Sequence, residues 1–516
     1  MNEAASDAGA DGGGGGERTP GVLRNTTFGL LAQGSSSILT AVLTLYLVRA
    51  LSPSDFGLFS LALTIGGICL LIADGGLSQS AARFIAERRE NTKAIELLLA
   101  DALRLKLVAG AIVAFALFGV ADQVASAYGQ PGLTTPLRAM ALAMFFHAVM
   151  LLYLNAFIAA GRVQTNLRLI FLESVMEVTA SITLVAAGAG VAGAAFGRAI
   201  GYGFGALVAI ALARSLYGTG AVRLAGSASG RAREMLKYAW PLFVTTSAYT
   251  LYSSIDVLLI GAYLDAAAVG LFAAPMRLIA LFALVGVAVA NASSPRLALN
   301  QDGHRDVAMF RASLRWLMIF QAALLAPVIV WAEPIIRLLL GPEYRASADV
   351  LRVLAPFVFL RGISPLISSA VNYLGRAGSR IPIVIGALAI NAAIDVALIP
   401  RIGIVAGAIG TSVAYLVYVP GHMWLCRKVI DVPLRPLGLT LARSLLAAAA
   451  MTAVLLAVGT HELSVADWII GALGGTVAFC VALVASREVR RSELLALAKL
   501  IGTRARSLRA RSAKRG

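Results

Sequence analysis

Long apolar runs broken by brief polar stretches set the rhythm of this chain. They fall at 26–48, 56–78, 107–127, 137–160, 168–188, 191–213, 238–262, 266–290, 313–332, 348–373, 381–399, 404–425, 437–458 and 464–485. Most reach the roughly 20 residues that a helix needs to cross a hydrocarbon layer. The ten-residue alternation of a lipid-embedded β-barrel is missing. The pattern predicts an all-α, polytopic membrane protein of about 14 transmembrane helices.

The polar stretches differ sharply in charge. "RFIAERRENTK", "RLAGSASGRAREMLK", the stretch from Arg296 to Arg315 and the tail after Arg487 are strongly basic. The linkers near Gly129, Gly188, Tyr263 and Thr460 carry almost no Lys or Arg. Basic residues in short loops mark the cytoplasmic side, so both termini are expected in the cytoplasm and the number of spans is expected to be even. Composition agrees, with 59% hydrophobic and 14% charged residues and a mean hydropathy of +0.82. A soluble domain has about half apolar and about a quarter charged residues.

The net charge of +17 therefore reports topology, and no aromatic platform for nucleic acid accompanies it. The basic tail, 487–516, alternates Leu or Ile with Arg or Lys and would suit an amphipathic helix on an anionic leaflet, or simply a solvated tail. Cys69, Cys426 and Cys480 lie in or beside apolar runs, without disulfide or metal-ligand spacing. No phosphate-binding Gly-Lys loop and no nucleophile elbow occurs, and no cofactor is expected. Residues 1–22 are Gly-rich and acidic, lack a signal-peptide core, and read as a flexible cytoplasmic tail.

The chain also repeats itself. "LSPSDFGLF" at 51–59 is answered by "LDAAAVGLF" at 264–272, 213 positions later. "VAGAAFG" from Val191 and "VAGAIGT" from Val405 are 214 apart, as are Gly161-Arg162 and Gly375-Arg376, and Leu137-Arg138 and Leu351-Arg352. Several matches on one diagonal point to a duplication. The shift spans six helices, an even number, so both copies enter the membrane with the same polarity. They are then related by a pseudo-twofold axis along the membrane normal. This gives a six-helix lobe at 23–225, a second at 226–430, and two further helices in 431–486.

The residues resemble a known family. "RNTTFGLLAQG", "LVRALSPSDFGLFSLALT" and "LIADGGLSQSAARFIAE" in the first half look like the polysaccharide-transporter branch of the multidrug/oligosaccharidyl-lipid/polysaccharide flippase superfamily. So do "SSIDVLLIGAYLDAAAVGLFAAPMRL" and "INAAIDVALIPRIGIVAGAIGTSVAYL" in the second. The resemblance covers most of 24–430. It implies two lobes in a V and export of undecaprenyl-diphosphate-linked oligosaccharides, with helices 1, 2, 7 and 8 lining the cleft.

Charges at membrane depth are costly and usually face a cavity or a partner. Arg277 lies near the middle of its segment, and Arg198 and Arg361 well inside theirs. A guanidinium can hold a diphosphate bidentately, or can simply pair with an acid of a neighbouring helix. His147 and Arg361 are 214 apart, hence pseudo-equivalent on opposite lobes, and are candidates for the central cavity. A membrane histidine can equally be a hydrogen-bonded core residue. Glu173 and Glu177 share a helix face. They either repel and suit proton coupling or are neutralised by Arg168 or Arg198. Asp256 and Asp395 near the outer ends of their segments, and Asp74 near an inner end, are candidates for coupling or for fastening helices together. Pro241, Pro275, Pro327, Pro356 and Pro365 are candidate bends, Pro275 beside Arg277 and the last two around Arg361.

These features favour a flippase for a lipid-linked oligosaccharide in the bacterial cytoplasmic membrane, working as a monomeric unit beside polymerase or assembly proteins. A cation-coupled multidrug antiporter shares the duplicated fold. A membrane polymerase or ligase would need a large outward loop, and the outward loops here are short. A non-transporting scaffold is the remaining alternative.

Overall fold

The computed structural model describes residues 38–222, 230–298, 305–489 and 493, and no strand occurs among them. The first half comprises α1 (Ile38–Ala50), α2 (Pro53–Asp74), α3 (Leu77–Glu87), α4 (Thr92–Ala127), α5 (Thr134–Ala159), α6 (Val163–Leu184) and α7 (Gly190–Tyr217). The second comprises α8 (Gly230–Tyr263), α9 (Ala266–Ser293), α10 (Val307–Val330), α11 (Ala332–Leu339), α12 (Ser347–Val353), α13 (Ala355–Tyr373), α14 (Ile381–Ile402) and α15 (Ile404–Arg427). Then come α16 (Leu434–Val458) and α17 (Val465–Ala485), which pack on each other, with α16 also against α10. The cores are apolar, yet Phe115, Leu207 and Val465 are also exposed. Apolar residues on all sides of a helix are the mark of a membrane span.

Eleven described helices are long and apolar enough to cross a membrane, or twelve if the α12–α13 pair is one span. The predicted figure of 14 is not reached by this count. One difference is Val163–Tyr217, which counts as a single 55-residue stretch although Gly188 interrupts it at φ 89°, a conformation that costs glycine little. The other is α1, a shorter apolar helix whose preceding residues lie outside the described ones. The tail 1–22, the inter-lobe boundary at 225–226 and nearly all of 487–516, with its amphipathic reading, also lie there.

The repeated hairpin has a clear structural role. Ser52 caps α2 by accepting from the Asp55 N–H, and Asp265, 213 positions on, caps α9 by accepting from the Ala268 N–H. Each cap contributes about 1 kcal/mol. Just beyond the caps the two helices cross. A methyl group on Gly57 would overlap the Ala266 carbonyl oxygen, and one on Gly270 would overlap that of Pro53. The contact is reciprocal at the repeat offset, as a pseudo-twofold axis requires.

At the other end of α2, the halves meet again. Ser80 Oγ of α3 donates to the Met235 carbonyl of α8 at 2.7 Å. The Arg83 guanidinium lies over the Tyr238 ring at 4.2 Å. The length of α2 between these contacts, from Ser60 to Leu70, lines a cavity.

Candidate functional site

The cavity between the two contact zones has a volume of about 460 Å³ and is walled by α2, α5 and α7 from the first half and α8 and α9 from the second. Arg277, Arg198, His147 and Asp256 all line it. Arg277 sits on α9, which runs unbroken through Pro275. Its side chain is exposed to the cavity, and no carboxylate lies within ion-pair distance of it among the described residues. Arg198 is more restrained. It pairs with Glu177 at 2.6 Å and lies 5.6 Å from the Tyr202 ring, on which His147 stacks at 4.0 Å.

Arg361 occupies a different place from the one expected. It lines a smaller cavity of about 140 Å³ and a third of about 420 Å³ inside the second half, rather than the inter-lobe cavity. Two hydroxyls hold it there: Nη1 donates to Tyr249 at 3.1 Å and to Tyr415 at 2.9 Å. Pseudo-equivalence with His147 is kept in sequence, but the neighbours differ, so the side chains face different spaces. The three cavities are contiguous in their walls. The small one shares Ser253, Asp256, Met276 and Ala280 with the inter-lobe cavity, and Tyr249 and Arg361 with the third.

Asp256 is buried and central to an oxygen-rich cluster. Asn391 Nδ2 donates to its Oδ1 at 3.0 Å and Thr411 Oγ1 to its Oδ2 at 2.9 Å. Asp395, fully buried on the same helix as Asn391, stands beside Asp256. Among the described residues neither of its carboxylate oxygens, nor the Asn391 Oδ1, has a hydrogen-bond partner. Such a set of hard oxygens can take a proton or a small cation.

The acids of α6 divide. Glu177 is neutralised by Arg198, whereas among the described residues Glu173 accepts from Ser174 at 3.2 Å on one oxygen and has no hydrogen-bond partner on the other. Arg168 makes no ion pair among the described residues. Asp74 is a fastener: it pairs with Lys106, whose side chain is wholly buried, and accepts from Ser78 Oγ at 2.5 Å. Pro356 does not bend a helix interior. It lies in the first turn of α13, where no intrahelical N–H is lost, and the 57° break falls just before it, between α12 and α13. Pro365 does lie inside α13.

The sequence reading missed Lys106, Asn391, Thr411, Tyr249, Tyr415 and Arg380. A signal existed for one of them, since Asn391 is Glu177 displaced by 214. The tyrosines look like ordinary apolar-face residues in the sequence, and Lys106 stands at the edge of a predicted span.

Comparison with known proteins places this architecture. The model of the family described as "Polysaccharide biosynthesis protein" matches residues 22–301, and the MatE model matches 241–397. The probable low-salt glycan biosynthesis flippase Agl15 of Haloferax volcanii is 23% identical over 189 residues, or 36% of this chain. The match spans 40% of that relative's length. Among solved structures, the inward closed conformation of the Lipid II flippase MurJ matches with a TM-score of 0.75. The identity is 14%, over 89% of this chain and 99% of that one. The inward- and outward-facing conformations of a MATE family multidrug transporter each give 0.58, at 16% and 15% identity. They cover 77% and 79% of this chain, and 96% and 95% of theirs. At such identities the likeness is one of fold, and it is a two-lobed transporter fold. With a family model over more than half its length, this multi-pass membrane protein belongs to the family described as "Polysaccharide biosynthesis protein".

Proposed function

We propose that this protein flips a diphosphate-linked lipid oligosaccharide from the inner to the outer leaflet of a bacterial cytoplasmic membrane, by alternating access and without covalent chemistry. The supporting observation is Arg277, a guanidinium exposed to the inter-lobe cavity with no carboxylate partner among the described residues. An uncompensated cation at membrane depth is costly, and a diphosphate offsets that cost while accepting bidentate hydrogen bonds. Arg198 and His147 present further polar groups to the same space, and the isoprenoid tail stays in lipid between the lobes. Two of the similar proteins are themselves named as flippases, of a glycan pathway and of Lipid II.

Energy enters through Asp256 and Asp395. Two buried carboxylates side by side repel unless a proton or cation comes between them, and Asp256 forms part of the wall of the cavity that holds Arg277. Loading this cluster changes the field at the head-group site and so links cation movement to substrate movement. The basic loops set both termini in the cytoplasm, and polymerase or assembly proteins on the outer side receive the product. The multidrug-antiporter reading draws on the same Asp256, but that carboxylate is already engaged by Asn391 and Thr411 on both oxygens.

Sidedness of lipid-linked sugars in oriented membrane vesicles tests the proposal. Depletion of the protein should trap radiolabelled diphosphate-lipid oligosaccharide on the cytoplasmic face, with reversal by the wild type and not by Arg277→Ala. Unchanged sidedness in the absence of any redundant transporter would overturn it.

A further inference from the structure

We propose that the second lobe carries its own oxyanion site, formed by Arg361 and Arg380 and separate from the inter-lobe cavity. The two arginines line one cavity of about 420 Å³ between α8, α9, α13, α14 and α15. Neither has a carboxylate within ion-pair distance among the described residues. Every partner is neutral. Arg361 donates to the hydroxyls of Tyr249 and Tyr415. Arg380 donates to His422 Nε2 at 3.1 Å, to Asn372 Oδ1 at 2.9 Å and to the Tyr418 hydroxyl at 3.4 Å.

These neighbours orient the two guanidinium groups without cancelling their charge. A column of rings on α15 supports the arrangement: Tyr415 and Tyr418 lie 5.4 Å apart, and Tyr418 and His422 4.2 Å apart. The column meets Arg361 at Tyr415 and Arg380 at Tyr418 and His422. A guanidinium has five N–H donors in a planar fork. Among the described residues Arg361 donates to protein only through Nη1, which leaves Nε and Nη2 for a ligand. Ser364, Ser368 and Ser369 add hydroxyls to the same wall.

Two fixed cations, spare donors and hydroxyls with no acid among them are the chemistry that takes up a phosphate-type oxyanion. Contrast Arg198, whose charge Glu177 already cancels. Position extends the inference. Arg361 also lines the small cavity, which shares Asp256 with the inter-lobe space. The carboxylate cluster thus stands between two arginine sites, Arg361 with Arg380 on one side and Arg277 on the other. A diphosphate head group would meet the first site within the second lobe and the second between the lobes. That identity of the ligand rests on the flippase reading; the existence of the site does not.

The test is equilibrium binding of radiolabelled inorganic pyrophosphate to the full-length protein in nanodiscs of neutral lipid. The wild type should show two classes of site. Arg361→Gln with Arg380→Gln should remove one class and keep the other, and Arg277→Ala should do the reverse. Arg380→Gln alone changes one residue of the short turn between α13 and α14 and leaves Arg361 in place. It should weaken its class by about tenfold, as expected for lost charged hydrogen bonds. A single class of site that Arg277→Ala abolishes and neither glutamine variant moves would overturn the proposal. Adding undecaprenyl diphosphate to the nanodiscs separates the sources. Displacement of pyrophosphate from the Arg361–Arg380 class assigns the site to the lipid-linked head group, whereas binding that persists assigns it to a soluble phosphate-type anion. Failure of the flippase reading would appear elsewhere, as unchanged sidedness in vesicles with both binding classes intact.

Discussion

Arg198 and Arg277 line one cavity and carry the same charge, yet their removal should have opposite consequences for the fold. Arg198 is a member of a buried pair with Glu177. Taking it away strands a carboxylate, which in a buried pair costs about 3–5 kcal/mol. Arg277 has no acid to strand, so Arg277→Ala should leave the melting midpoint unchanged or raise it while abolishing transport. Arg198→Ala should lower the midpoint, and Glu177→Gln in the same chain should restore much of it. Thermal melts of purified protein decide the matter; equal losses in both single variants would contradict the assignment. The Asp74–Lys106 pair follows the Arg198 pattern, since Lys106 is wholly buried. Asp74→Ala should destabilise by a similar amount, with Lys106→Met as the compensating change.

At the scale of elements, the crossing of α2 and α9 and the anchoring of residues 486–489 after α17 behave differently under perturbation. Gly57 and Gly270 each face a carbonyl oxygen of the opposite helix, so Gly57→Ala and Gly270→Ala should be near-equal in effect. Overpacking costs about 1–3 kcal/mol, and here it should part the helices at this end of the cavity, read as faster labelling of a cysteine at Ser253 by an impermeant thiol reagent. The described residues just after α17, 486–489, are held by Glu488, which accepts from Arg315, Thr440 and Arg443 and is buried. Burial works against its charge, but the hydrogen bonds from Arg315, Thr440 and Arg443 prevail and hold the carboxyl below its usual range. A lowered carboxyl stabilises the folded form at pH above its ordinary value, about 4.3. That stability is lost as the pH falls through the lower folded value. Protease clipping near residue 489 should therefore be slow at neutral pH and accelerate only in that acid window, and Glu488→Gln should clip quickly at pH 7. Much of this level was legible in the sequence. The repeat itself, with 51–59 answered by 264–272, predicted the paired helices. The close approach at Gly57 and Gly270 was not legible, because a glycine that admits a neighbouring backbone looks in sequence like any small residue of a span.

At the scale of the whole molecule, the duplicated all-helical design was readable because apolar periodicity and a constant offset survive without side-chain detail. The distribution of charges between cavities was not. His147 and Arg361 hold the same register, yet Tyr249 and Tyr415 fix Arg361 within the second lobe, a contact between distant segments that no local pattern encodes. The same long-range logic yields the sharpest test of the mechanism. The lobes touch through the Gly57–Ala266 and Gly270–Pro53 contacts at one end of the cavity and through Ser80–Met235 at the other, and these contacts are its two closures in an alternating-access cycle. Alternating access requires each closure to open while the other holds, so fixing either one must stop the cycle. Cysteines at Ser80 and Met235 joined by a short thiol cross-linker should block flipping in vesicles, with recovery after cleavage of the linker. Cysteines at Pro53 and Ala266 should block it equally. A cysteine at Ser253, on the cavity wall, should then react from only one face in each locked form, and from opposite faces in the two. Full transport in either cross-linked form would mean that the lobes do not rock about this cavity, and that substrate crosses along another surface of the protein.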